Sequence, residues 1–197
     1  MNPGNRTVKM LLAVLLGAFS AAPALRALDF TPEFVTTVTE DGFKSTEIIL
    51  RDTGSRVIYC PPSGWQAVEG ERQLRFHPAS VSLADLTIDS EKAAVGRSVD
   101  AAAIERCRAW LKASIPAESS DIEVEADEAN PGAVANCPTF GTTIAYTIGG
   151  VRYRKRTVFV FAYDANIRFT TAARIADFDR LYPVVRRSLF SWRWEKQ

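Results

Sequence analysis

The 197-residue chain carries 24 basic and 23 acidic side chains, and 47% of its residues are hydrophobic. That balance excludes a disordered polyelectrolyte and gives no electrostatic reason to expect nucleic acid or an acidic membrane as the partner.

The first residues have the layout of a secretory signal peptide. Arg6 and Lys9 make a positive start, Met10 to Phe19 is an apolar run, and the small residues of "SAAPALRA" follow. Cleavage is expected after Ala24 or after Ala27. An uncleaved N-terminal anchor is the alternative, although the run falls short of the ~20 residues that a permanent span needs. No later stretch is long and apolar enough to cross a bilayer. Residues 1–27 are thus read as a leader and 28–197 as a single exported domain, periplasmic or secreted. Without Arg6, Lys9 and Arg26 the balance is 21 basic to 23 acidic residues. About 170 residues can bury a core without staples.

Turn signals then punctuate the chain every few residues. "FVTTVT" (34–39) is rich in β-branched residues, "EDG" turns, and "FKSTEIILR" (43–51) returns, which predicts a hairpin. "DTGS" (52–55) leads into "RVIYC" (56–60). "PPSG" follows, with Pro62 suited to the second position of a type I turn and Gly64 to the fourth. Two prolines deny ladder donors, so the strand must stop at Cys60, and Trp65 opens the next one with its ring as an anchor. "WQAV", "EGE" and "RQLRFH" (72–77) read as another hairpin. In "ADLTIDS" (84–90), Leu86 and Ile88 alternate with Asp85, Thr87 and Asp89, a strand with one wet face.

The period then changes to helical. Ser98 is placed to cap a helix with Asp100 in its first turn. Ala103, Ile104, Cys107, Trp110 and Leu111 form one apolar stripe, and Pro116 ends the helix near Ile115. Strands resume at "DIEVEAD" (121–127), "TFGTTIAYTI" (139–148), "VRYRKRTVFVFAY" (151–163) and "IRFTTAA" (167–173). The last three, joined by "GG" and "DAN", predict an antiparallel meander. A final helix is expected over 176–190 with Phe178, Leu181, Tyr182, Val185 and Leu189 on one face, kinked or starting late because of Pro183. Runs of strands interrupted by single helices indicate an α+β fold: a mostly antiparallel sheet covered by two main helices.

The "PPSGW" entry before a hairpin and the closing "FDRLYPVVRRSLFSW", with Ser188 and the Ser191-Trp192 pair, resemble the PsbP-like superfamily. That group includes the extrinsic protein of photosystem II, a Ran-binding import factor and many exported bacterial proteins. The resemblance spans residues 43–194. It implies an α/β/α sandwich and a binding or assembly role without enzymatic turnover, and it assigns no functional residue.

The residues themselves supply few catalytic candidates. His77 is the only histidine; with Asp85 or Asp89 and Ser63, Ser80 or Ser82 it would make the set for an unfamiliar hydrolase, but no G-x-S-x-G elbow is present. One histidine and three scattered cysteines do not make a zinc site, and there is no calcium-loop motif. Neither metal nor cofactor is expected. Of the three cysteines, Cys107 and Cys137 are the candidate disulfide, with Cys60 an equally legal partner by counting and no bridge a third outcome. Arg152, Arg154 and Arg156 alternate onto one strand face with Lys155 opposite. They are candidate partner-binding residues, and pairing with Asp121, Glu123 and Glu125 on another strand is the favoured alternative. Phe190, Trp192 and Trp194 are expected to seal the core edge. The expected function is an exported, non-enzymatic binding or assembly module with a protein partner of unknown identity and open oligomeric state. A small-molecule or lipid carrier is the second reading, and a hydrolase at His77 the third.

Overall fold

The computed structural model describes residues 28–38, 40–42, 44–52, 55–68, 70, 72–92, 99–162 and 165–196. The leader over 1–27 and the expected cap Ser98 lie outside these residues. The predicted first hairpin is β1 (Glu33–Val38) against β2 (Lys44–Asp52), and β3 (Ser55–Tyr59) pairs with β2. A second hairpin joins β4 (Trp65–Val68) to β5 (Gln73–Pro78), which continues to β6 (Asp85–Lys92). After α1 (Ala101–Ala113) come β7 (Ser120–Ala129), β8 (Thr139–Ile148), β9 (Val151–Phe161) and β10 (Ala165–Arg174). The chain closes with α2 (Ile175–Leu189) and β11 (Arg193–Lys196).

The strands form two sheets where the sequence suggested one. β1-β2-β3-β11 make the smaller sheet, and β4-β5-β6-β10-β9-β8-β7 make the larger. The meander β8–β9–β10 is present as expected. Asp100 is the N-cap of α1, its carboxylate accepting from the Ala103 N–H at 2.7 Å, so it caps the helix and does not sit in the first turn. Helix α2 runs unbroken from Ile175 through Pro183, so the late start is not found.

Alternation on the large sheet gives it two buried faces. On one, Ala103, Cys107 and Leu111 of α1 pack on Phe140, Ile144, Phe159 and Phe161. On the other, α2 and the small sheet close the main core around Tyr59, Phe76, Phe169 and Trp192. Tyr59 and Phe169 lie 5.8 and 5.2 Å from the Trp192 ring. Fully burying a side chain of this size contributes about 3 kcal/mol before ordering costs. The fold is therefore α+β, with the large antiparallel sheet covered on one side by α2 and the small sheet and on the other, in part, by α1.

The two stretches that stood out in sequence meet here. Ser191 Oγ accepts from the Cys60 N–H at 2.8 Å, and Ser188 Oγ lies 2.9 Å from the Tyr59 hydroxyl. The end of α2 thereby clamps the end of β3. The turn that follows differs from the expected one. The Trp65 N–H reaches the Pro62 carbonyl at 3.1 Å, so Pro62 is the first residue and Gly64, at φ +77°, the third. A positive φ at the third position is the mark of a type II turn and favours glycine. Trp65 packs half-buried against the main core and the cluster under α2.

Candidate functional site

The arginine stripe of β9 is part of a charge ladder on the α2 side of the large sheet. β7 and β9 are not neighbours; β8 runs between them. Gly141, Thr143, Ala145 and Thr147 of β8 lie opposite Val158, Arg156, Arg154 and Arg152. These small residues form a floor over which the guanidinium groups reach. Arg152 meets Glu123 at 2.9 Å, Arg154 meets Glu125 at 2.6 Å, and Arg156 meets Glu128 at 2.6 Å. A register shift between Val124 and Ala126 inserts Glu125, which bonds to Arg154. A Cβ on Gly141 would fall 2.7 Å from Arg156 Nη2, so this glycine is needed for close approach. Arg154 also meets Asp179 of α2 and lies over the Phe178 ring; Arg156 donates to the Tyr182 hydroxyl. All three arginines thus hold β7 to the sheet, and Arg154 and Arg156 also hold α2.

A different polar surface occupies the opposite face, beside α1. Helix α1 covers β8 and β9 there, while Arg75 and His77 of β5, Asp85, Thr87 and Asp89 of β6 and Arg168 and Ala172 of β10 stay half-exposed. Strand register lines up Thr142, Thr157, Thr170, Thr87 and Arg75 across five strands. In the next row, Ala172 stands between Lys155 and Asp85. Its small side chain leaves space between these two charges. Lys155 Nζ donates to the Ser114 carbonyl at the end of α1, 2.7 Å away. Arg168 pairs with Asp89 and with Glu91 and stacks over the Trp110 ring at 4.3 Å. Arg75 lies 3.7 Å from Asp85. Thr142, Thr157 and Thr170 of this row are buried, the last two with their hydroxyls 3.0 Å apart, so Thr87 alone of these threonines is half-exposed, in a shallow floor rimmed by half-buried charges of both signs.

Burial sets the electrostatics of this floor. Desolvation pushes Asp85 above its ordinary value, against the pull of Arg75 and His77. Asp89 is raised for the same reason, with Arg168 opposing. Lys155 is lowered by burial, partly offset by Asp85 and Asp89. Tyr146 is pushed up to about 12, by burial first and then by the Asp85 charge. Half-buried charges with shifted protonation mark a binding surface more often than a neutral sheet face does. The face expected to be simply wet is thus half-buried, with the Asp85 and Asp89 side chains 28% and 19% exposed.

His77 stands at the rim of this floor. Its Nδ1 lies 2.9 Å from the Ala84 carbonyl, which can only accept, so Nδ1 carries a hydrogen. Among the described residues His77 acts on the Asp85 charge, and no hydrogen bond joins it to Ser63, Ser80 or Ser82. Cys107 and Cys137 are not bridged to each other, so the candidate disulfide is not formed. Cys107 packs with Phe140, Phe159 and Phe161 beside α1, whereas Cys137 packs against the main core. Cys60 Sγ faces Glu47 at 3.8 Å. Among the described residues no group of His, Cys, Asp and Glu could hold a metal ion. Trp192 is buried at 1% exposure as expected, but Phe190 is 51% exposed and lies on Gly132. An open cleft of about 1360 Å³ runs between the segment from Leu28 through Phe34 and strands β4 and β5.

No protein-family model matches the chain, and no curated protein matches its sequence. Solved structures do. Cyanobacterial PsbP from Synechocystis sp. PCC 6803 aligns with a TM-score of 0.51 over 92% of this chain and 100% of that one, at 11% identity. The fold is PsbP-like. LpqN of Mycobacterium tuberculosis, a protein involved in cell envelope biogenesis, gives a TM-score of 0.51 over 83% of this chain and 91% of its own, again at 11% identity. A protein of Bacteroides thetaiotaomicron matches at 14% identity and a TM-score of 0.43; this chain spans 45% of its length. The PsbP-like architecture expected from the two sequence landmarks is therefore present. Among the described residues no helix is long and apolar enough to cross a membrane.

Sequence reasoning named Asp85, Asp89 and His77 but missed the threonine row, Lys155 and Arg168. Lys155 had one visible signal: it faces away from its arginine neighbours on the same strand. The row itself joins Thr87 to Thr142, and only the register of four strands brings them together.

Proposed function

We propose that this chain is an exported, non-enzymatic binding or assembly module that engages its partner through the polar floor beside α1. The observation that carries this reading is the half-buried set Asp85, Lys155, Asp89 and Arg168 beside the half-exposed Thr87, on the part of the sheet face that α1 does not cover. Mixed charges held by packing are pre-organised hydrogen-bonding groups, so a partner meets them with little ordering cost. The leader-like start of the sequence and the likeness to LpqN support placement in the envelope. The test is affinity capture of the tagged processed protein from its native envelope, beside a Thr87→Arg variant. Thr87 is half-exposed, so a long side chain there blocks the floor without entering the core. The proposal expects the wild type to retain a partner and the variant to lose it, with an unchanged circular-dichroism spectrum. Equal capture by both proteins refutes it.

A further inference from the structure

Among the described residues the two sheets end in four edge strands, β1, β11, β4 and β7. An exposed edge is a template for another chain, and proteins normally blunt it. β4 and β11 have only four residues each. β7 carries Asp121, Glu123, Glu125, Asp127 and Glu128 and two register irregularities. A two-fold antiparallel pairing of β7 with its own copy that keeps each face on one side would bring these carboxylates together. β1 has none of these defences. Its six residues are EFVTTV, with Glu33 already paired to Arg51 at 2.6 Å. Phe34 and Val38 are 50% and 56% exposed.

The exposed pair sits on an unexpected side. Phe34 lies opposite Ile48, which is fully buried, so Phe34, Thr36 and Val38 point to the inner face of the small sheet. They are exposed because the large sheet does not reach beneath β1, where the cleft opens along Phe34 and Val68. Something that extended the small sheet past β1 would cover them.

We propose that this edge pairs with β1 of a second copy of the chain. The strand is self-complementary. An antiparallel pairing centred on Thr36 sets Phe34 against Val38 of the other copy, twice, and Val35 against Thr37, with no like charges opposed. A two-fold axis normal to the sheet keeps the inner faces on one side, so both apolar pairs share the same extended roof. The contact is isologous and closes, giving a dimer and not a fibre. It is independent of the floor beside α1, which lies on the other side of the large sheet.

Thr36 lies on the axis, which supplies a sharp test. Sedimentation equilibrium of the processed protein should give a concentration-dependent dimer. Thr36→Lys sets two like charges against each other and should weaken self-association by at least about tenfold with an unchanged circular-dichroism spectrum. Thr36→Glu alone should do the same. An equimolar mixture of Thr36→Lys and Thr36→Glu should restore the dimer, which a merely destabilised strand could not do. A wild type that stays monomeric at every concentration, or a dimer untouched by Thr36→Lys, overturns the proposal. So does a monomer that instead holds a different envelope protein along β1.

Discussion

The two charged surfaces of the large sheet use similar residues to opposite ends. On the α2 side, arginines of β9 reach across a floor of Gly141, Thr143 and Ala145 to carboxylates on β7. Each charge finds its opposite, and the outcome is an edge strand fastened to its sheet. On the α1 side, Ala172 again provides a small gap, but the charges around it are half-buried and two of the acids are raised by desolvation. The ladder is a run of pairs that fasten an edge; the set beside α1 is paired as well, but its charges lie half-buried beside a part of the sheet that α1 does not cover. Sequence charge patterns alone do not separate the two, because the difference lies in burial and in what stands between the charges.

Substitutions can break this contrast in order of size. Gly141→Val places a branched side chain where even a Cβ lies 2.7 Å from Arg156. It should cost about 2–3 kcal/mol in urea unfolding, by expelling the arginine from its slot. A variant as stable as wild type would mean that the ladder tolerates a raised floor. Arg168→Met leaves Asp89, whose side chain is 19% exposed, without its main partner. The expected loss is about 1–2 kcal/mol at neutral pH. It should shrink in acid as Asp89 takes up a proton, which thermal melts across the acidic range would show.

Asp85→Asn should be neutral or stabilising by under about 1 kcal/mol at neutral pH. Burial holds the folded Asp85 above its ordinary 3.8, so the unfolded chain releases its proton first. Wild-type stability therefore gains from Asp85 below 3.8 and loses that contribution as pH rises through the higher folded value. The asparagine variant lacks this fall, and melts of the two proteins on either side of the window would diverge. At the small end, Arg152→Gln breaks an exposed pair, with side chains 38% and 65% accessible. It should change stability by less than about 0.5 kcal/mol. A large effect there would show that the outer rung matters as much as the buried Arg156.

Much of the fold was legible because local chemistry and global position agree. Leu74 and Phe76 alternate with Arg75 and His77 in sequence and in burial, and the α1 stripe buries Ala103, Cys107 and Leu111 as its spacing requires. What escaped was long-range. The division into two sheets depends on β11 returning to β3, a pairing of Trp194 with Val57 across most of the chain. The insertion of β8 between the acidic and basic strands could not be read from alternation, which says which face a residue takes but not which strand is its neighbour. The threonine row escaped for the same reason: Thr87, Thr157 and Thr170 are unremarkable singly and line up only in register.

The floor beside α1 is the proposed contact surface, and the ladder is structural. Carbodiimide labelling of carboxylates, read by peptide mass spectrometry with and without the captured partner, addresses both at once. The account predicts that the partner slows labelling of Asp85 and Asp89 and leaves Glu123, Glu125 and Glu128 unchanged. Protection of the ladder glutamates with Asp85 and Asp89 unaffected would contradict it.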